Sequence, residues 1–272
     1  EIQTEAFSFG LEGLLRERED SLEGILNGID TDEWDPESDP LIPANFSAAD
    51  LSGKAACKKA LCAHIGLTPD SCGPPLIGMI GRLATQKGFD LLGEILPNLM
   101  RLDVNVVILG TGDAAIEERL QQMERLFPSR LKLLLQFDEQ LAHLIEAGSD
   151  IFLMPSRYEP CGLNQMYSLR YATIPVVHAT GGLDDSVSDV LKEDAGTGFK
   201  FYEYTPEAFL EAVKSALDLF TQKEKWIEVQ KRAMSQDFSW DRSAREYVRV
   251  YEKVLSKKKK IPGRISGVGE AR

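Results

Sequence analysis

Three short stretches place polar residues where chemistry is possible. In GRLATQKGFD, residues 81–90, Arg82 and Lys87 share one segment between Gly81 and Gly88. A guanidinium fork and a mobile ammonium both neutralise phosphates, and a backbone that approaches a ligand closely favours residues without Cβ. The plain alternative is a pair of solvated cations, the usual fate of Arg and Lys. In SRYEPCGLNQMYSLRYA, residues 156–172, Glu159 precedes Pro160, Cys161 and Gly162 at the expected start of a helix. An acid there accepts hydrogen bonds from sugar hydroxyls while the helix start faces an anion; a surface acid beside a turn-forming proline fits the same residues. In ATGGLDDSV, residues 179–187, Gly181 and Gly182 leave amides uncovered for a phosphate and Thr180 adds a hydroxyl donor, against the alternative of a plain βα turn. Two loops that offer amides and a third that offers cations fit a diphosphate.

Other candidates carry less. GTGDAA, residues 110–115, satisfies a G-x-G-x-x-A dinucleotide pattern. A dinucleotide fold wants that loop after its first strand and an acid at the end of the second; here a strand–helix unit precedes it and the next strand-end acid is Asp138. Nicotinamide binding is therefore disfavoured, although Gly112 still lies on the ligand-bearing edge of the expected sheet. Cys161 has no histidine close in sequence to activate it and reads as a packing thiol. His64, His143 and His178 are scattered and form no triad. The four cysteines, Cys57, Cys62, Cys72 and Cys161, show no C-x-x-C pair and no histidine at metal-ligand spacing. That argues against zinc and against a disulfide framework, and favours a reducing compartment.

These residues need a scaffold, and the hydrophobic pattern supplies one. From Pro75 onward short apolar runs (LIGMIGR, VNVVILG, LKLLLQF, DIFLMPS, IPVVHATGG) alternate with amphipathic ones (FDLLGEILPNLMRL, AAIEERLQQMERL, EQLAHLIEAG, LNQMYSLRYA). Buried Val/Ile/Leu runs separated by helices predict an α/β fold, a Rossmann-like parallel sheet with helices on both faces. Such sheets bind ligands outside the carboxyl ends of their strands, which selects the loops at 82–88, 110–113, 137–139, 156–162 and 180–186. Helices are expected after Thr205-Pro206 and through SAREYVRVYEKVL, followed by the solvated, mobile basic tail that begins at Lys257. Residues 27–53, rich in Asp, Pro, Asn and Ser, read as an ordered connector and a domain boundary.

Composition narrows the partner. The chain has 272 residues, 43% hydrophobic and 27% charged, with a formal net charge of −12. This is globular composition with no membrane-spanning run. Its field repels nucleic acid and anionic membranes, so an anionic partner must be small and met by locally placed cations. No targeting peptide is visible at the acidic start.

Taken in order, GRLATQKGFD, PSRYEPCGLNQMYSLRYATIPVV and TGGLDDSV resemble the carboxyl-terminal half of bacterial glycogen synthases and plant starch synthases. LNGIDTDEWDP resembles that family's interdomain segment, and EIQTEAFSFGLEGLL the end of its amino-terminal domain. The resemblance implies the carboxyl-terminal domain of a two-domain GT-B glycosyltransferase. Residues 1–26 would end the amino-terminal domain, 27–53 would join the halves, 54–240 would form the nucleotide-sugar domain, and 241–272 the terminal helix and basic tail. It also implies retaining transfer of glucose from ADP-glucose to the non-reducing end of an α-1,4-glucan, without cofactor or metal. Arg82 and Lys87 would bind the diphosphate, Glu159 would hold the glucose and stabilise its cationic transition state, and the amides of Cys161, Gly162 and Leu163 would bind its hydroxyls. Those of Thr180, Gly181 and Gly182 would bind phosphate, and Phe137 would stack on adenine where the family often has tyrosine. Ala172 stands where glycine is common and Ser186 where threonine is. The family's K-T-G-G-L motif does not occur, so the expected partner is the missing amino-terminal half, and the chain alone is expected to be inactive. A non-catalytic nucleotide- or glucan-binding module is the alternative. The implied compartment is the bacterial cytoplasm, or the plastid stroma of a plant or alga.

Overall fold

The computed structural model describes residues 2–5, 7–67 and 72–259. In chain order its elements are α1 (Glu12–Glu17), α2 (Ser52–His64), β1 (Leu76–Ile80), α3 (Phe89–Leu99), β2 (Asn105–Leu109), α4 (Ala114–Leu126), β3 (Leu131–Leu134), α5 (Glu139–Gly148), β4 (Ile151–Met154), α6 (Asn164–Arg170), β5 (Ile174–His178), α7 (Gly181–Ser186), β6 (Phe199–Phe201), α8 (Pro206–Phe220), α9 (Lys223–Met234) and α10 (Trp240–Lys259). They form two compact units, one of Ile29–Asp237 and one of Glu1–Gly28 with Phe238–Arg272.

In the larger unit the strands form one sheet in the order β3-β2-β1-β4-β5-β6, and every neighbouring pair is parallel. Successive side chains of a strand point to opposite faces, and all five residues of β2 and of β5 are buried. Both faces of the sheet are therefore covered, which is why its strands read as continuous apolar runs rather than alternating ones. Polar punctuation sets the helix starts. Asp113 accepts from the amides of Ala115 and Ile116 to begin α4, Asp138 accepts from Leu141 to begin α5, and Thr205 accepts from Ala208 ahead of Pro206 in α8. Ile77 pairs with Val106 on one side and Ile151 on the other. The chain moves outward in both directions from β1 and β4, so the carboxyl ends of those two strands are the topological switch point.

In the larger unit three elements escape the sequence reading. β6 spans only three residues. In α2 a buried Lys54 interrupts the apolar stripe, and α9 buries the polar Gln230 beside Trp226, Val229 and Ala233; both stripes are blurred by charge. The cysteine expectation is corrected as well. Cys62 and Cys72 form a disulfide with Cα atoms 6.0 Å apart, within bridging range, while Cys57 and Cys161 are not disulfide-bonded.

Residues 29–51 hold their shape through side chains rather than a ladder. Asp30, Asp35 and Asp39 accept from nearby amides, and Asn45 Nδ2 donates to the carbonyls of Pro36 and Asp39. Asp39, 1% exposed, also accepts from Tyr171 Oη at 2.6 Å and His143 Nδ1 at 2.8 Å, which docks the segment against α5 and the end of α6. Ala172, with φ +54, takes the left-handed conformation that favours glycine.

In the smaller unit Ser243 Oγ donates to the Leu26 carbonyl at 2.8 Å, and Lys253 pairs with Glu23. Tyr247, Val248, Tyr251, Val254 and Leu255 of α10 are exposed. α10 carries the chain through Lys257–Lys259, which the sequence reading assigns to the mobile tail, because the helix continues into the lysine run; the rest of that tail, residues 260–272, lies outside the described residues. No helix among the described residues is long and apolar enough to cross a membrane.

Candidate active site

The loops that follow β1 and β4 are built as one piece. A tight turn, Thr85–Lys87, ends at Gly88 with φ +78, and a Cβ there would sit 2.0 Å from the Pro155 carbonyl oxygen. Only glycine allows both the conformation and the contact. Arg157 N donates to the Gln86 carbonyl at 2.9 Å, and Gln86 Nε2 donates to the Tyr158 carbonyl at 3.1 Å. Further out, Asp90 pairs with Arg157 at 2.9 Å and accepts from Tyr204 Oη at 3.0 Å. Burial and the neighbouring Asp90 raise the Tyr204 phenol, keeping it protonated as a donor.

This double loop brings together residues distant in sequence. Lys87 Nζ lies 2.5 Å from Glu159 Oε2, which also accepts from Ser156 Oγ at 3.2 Å. Glu159 is 7% exposed, and a carboxylate that deep is stable when paired and hydrogen-bonded. Nδ1 of buried His178 donates to the Ser156 carbonyl at 2.8 Å, anchoring the loop from β5. A cavity of about 160 Å³ opens beside Lys87, Ser156, Leu163 and Asn164.

A larger cleft of about 760 Å³ lies along the ends of β1, β2 and β3, and both cavities are lined by Ile80, Gly81 and Asn164. Arg82 is in its wall, exposed, with its guanidinium steadied by Gln86 Oε1 at 3.3 Å. Phe137, also in the wall, is 95% exposed and offers a bare aromatic face. Asn164 Nδ2 donates to the Ile80 carbonyl at 2.9 Å, tying the start of α6 to β1. Glu146 lines the floor, 1% exposed, and burial pushes its carboxyl up to about 8. A neutral carboxylic acid thus faces the cleft at pH 7.

The glycine loops differ in what they leave open. Gln165 Nε2 donates to the carbonyls of Cys161 and Gly162 and to Ser186 Oγ, while Gly162 turns at φ +72. In the third loop the Gly182 amide donates to the Glu159 carbonyl at 2.9 Å and that of Thr180 to the His178 carbonyl at 2.8 Å. Both amides are spent on the fold. The Gly112 amide is likewise taken, by the Glu117 carboxylate at 2.8 Å, so an acid occupies the place where a dinucleotide loop would receive phosphate.

Arg82, Lys87, Glu159, Phe137 and Gly112 are thus gathered along one sheet edge. The sequence reading missed Gln86, Ser156, Asn164 and Glu146. Glu146 left a signal, an acid inside the apolar run HLIEAG; the others are ordinary polar residues whose roles depend on what folds against them.

Comparison with known proteins agrees with this fold. The family described as "Glycosyl transferases group 1" matches residues 70–233. The chain is 53% identical over 256 residues to a glycogen synthase of Anaeromyxobacter sp. (strain Fw109-5), covering 94% of this chain and 54% of that protein. It is 48% identical over 264 residues to one from Koribacter versatilis, covering 96% and 54%. Among solved structures, the catalytic domain of starch synthase IV from Arabidopsis thaliana, bound to ADP and acarbose, superposes with a TM-score of 0.86 at 38% identity, over 94% of this chain and 54% of that one. A sucrose-phosphate synthase from Thermosynechococcus elongatus shares the fold, with a TM-score of 0.61 at 17% identity over 90% and 56% of the two chains. The chain spans about half the length of the curated relatives it matches. With its six-stranded parallel sheet and its loops joined at the switch point, the chain belongs to the group 1 glycosyl transferases, with glycogen synthases among its homologues.

Proposed function

We propose that the chain is the donor-binding half of a glucan synthase: it binds ADP-glucose and, completed by an amino-terminal half, transfers glucose with retention to the non-reducing end of an α-1,4-glucan. The observation that carries this is the convergence of Lys87 and Glu159 at 2.5 Å on the switch point beside the cleft that holds Arg82 and Phe137. The ADP carried by the Arabidopsis homologue supports the choice of nucleotide.

In this reading Phe137 stacks on adenine in the larger cleft, and Arg82 and Lys87 hold the diphosphate. Fixed cations there offset charge on the departing nucleotide and need no reorganisation as the bond breaks. Glu159 accepts from the sugar hydroxyls and stabilises positive charge developing on the glucose. Its tie to Lys87 spaces the sugar and phosphate contacts. The amides of Cys161, Gly162 and Leu163 bind sugar hydroxyls. Because Gly182 donates within the fold, the phosphate contact of its loop falls to the Gly181 amide, with the Thr180 hydroxyl as a further donor.

Calorimetric titration of the chain with ADP, ADP-glucose, UDP-glucose and NAD tests the proposal. Saturable binding of the two ADP ligands, with the other two much weaker, is the expected result; equal binding of all four, or preference for NAD, overturns it.

A further inference from the structure

On the rim of the larger cleft, away from the Lys87–Glu159 pair, Glu33, Glu139 and His143 each present a ligand atom, all within 4.8 Å of one another. They come from two elements. Glu139 and His143 are a turn apart on α5, on one face of the helix, and Glu33 arrives from the segment held by Asp39. Neither carboxylate has a hydrogen bond or ion pair with the described residues. His143 is completely buried; its Nδ1 donates to Asp39 at 2.8 Å, and its Nε2 is buried with no partner. An unpaired ring nitrogen is costly in a protein interior, and a carboxylate on the opposite nitrogen fixes the tautomer with a lone pair on Nε2 and raises its basicity as a ligand. Trp34 holds the arrangement, stacked on His143 at 3.7 Å and on Tyr167 at 3.8 Å. The cleft lining is acidic, holding Glu33, Asp138 and Glu139 as well as Arg82.

We infer that Glu33, Glu139 and His143 Nε2 form a site for a divalent transition-metal ion of zinc type at the rim of the cleft. One imidazole with two carboxylates suits Zn²⁺ or Co²⁺ over Mg²⁺ and Ca²⁺, which take oxygen alone. Ligand atoms sharing an ion at about 2.1 Å stand no more than about 4.2 Å apart, a separation that exposed carboxylates reach by rotating their side chains. A bound ion would clip residues 29–39 to α5 and lower the negative charge at the mouth of the cleft. The inference is independent of donor binding, because none of the three residues is assigned a role there.

The test is titration of the chain with ZnCl₂ in a non-chelating buffer, followed by calorimetry, beside the Glu33→Gln/Glu139→Gln double variant. Both substitutions are at exposed positions, so the variant's circular dichroism should match the parent. One Zn²⁺ per chain, weakened at least tenfold in the variant, is the expected result. Absence of saturable binding, or binding unchanged in the variant, overturns the site. Co²⁺ substitution gives a second readout: visible bands without thiolate charge transfer agree with nitrogen and oxygen ligands, whereas a thiolate band assigns the ion to Cys57 or Cys161 and overturns the proposal.

Discussion

In the proposed donor site Arg82, Phe137 and Glu159 are assigned separate contributions, and their substitution should separate them. Arg82 is exposed, and among the described residues its side chain bonds only Gln86. Arg82→Ala should therefore leave the melting temperature unchanged and weaken ADP and ADP-glucose about tenfold or more, the scale of a charge-assisted hydrogen bond; calorimetry reads both. Phe137 is 95% exposed, so Phe137→Ala should cost the fold nothing and cost both ligands about fivefold or more through lost base stacking. Glu159→Gln keeps the shape and removes the charge beside Lys87. ADP should bind the variant as before or more tightly, while the extra affinity contributed by glucose should fall. A parallel loss for both ligands would place Glu159 with the phosphates. The division is argued from residue type, because acids, cations and aromatics suit different parts of a nucleotide sugar. The pairing of Lys87 with Glu159 could not be read ahead, since it depends on two loops meeting across the sheet edge.

Elements add constraints that single residues do not show. The 29–51 segment is anchored on α5 and α6 through Asp39, which serves Tyr171, His143 and the Leu41 amide. Asp39→Ala leaves the buried Tyr171 and His143 donors unpaired and should destabilise the chain by roughly 3 kcal/mol or more, measured by urea denaturation. In α5, burial pushes Glu146 up to about 8, against about 4.3 for an unfolded chain. Between those values the native state holds a proton that the unfolded state has released, so this group's contribution to stability falls as pH rises from about 4 to 8. Glu146→Gln removes the slope: its melting temperature relative to the parent should climb across that window and level off above it. A difference flat with pH would mean that Glu146 is ionised in the fold. Lys54, brought down to about 8 by burial, works in the opposite direction above that pH. Its ammonium donates to Ala147 O, Tyr171 O and Thr173 Oγ1, so the positive charge is fully coordinated below it. α4, α5 and α8 were legible because Asp, Asp and Thr-Pro mark their starts, whereas α2 and α9 hide their apolar stripes behind buried polar residues.

At the scale of the whole molecule, the chain matches about half the length of its glycogen synthase relatives, and every residue assigned to the donor site lies within Ile29–Asp237. The purified chain should bind nucleotide yet incorporate no labelled glucose into glycogen; measurable incorporation would show that the acceptor and catalytic groups are already present. The sequence by itself determined the α/β class, most of the strands and the loops that bring Arg82, Lys87 and Glu159 to the sheet edge. Period and residue type are local properties, and parallel strands buried on both faces write a continuous apolar signal. Only the tertiary structure decided that Cys62 bonds Cys72, that Gly112 and Gly182 spend their amides inside the protein, and that Glu33 stands beside Glu139 and His143. Each of these depends on distance between segments far apart in the chain, which the packing of the sheet and its loops sets and no local pattern records.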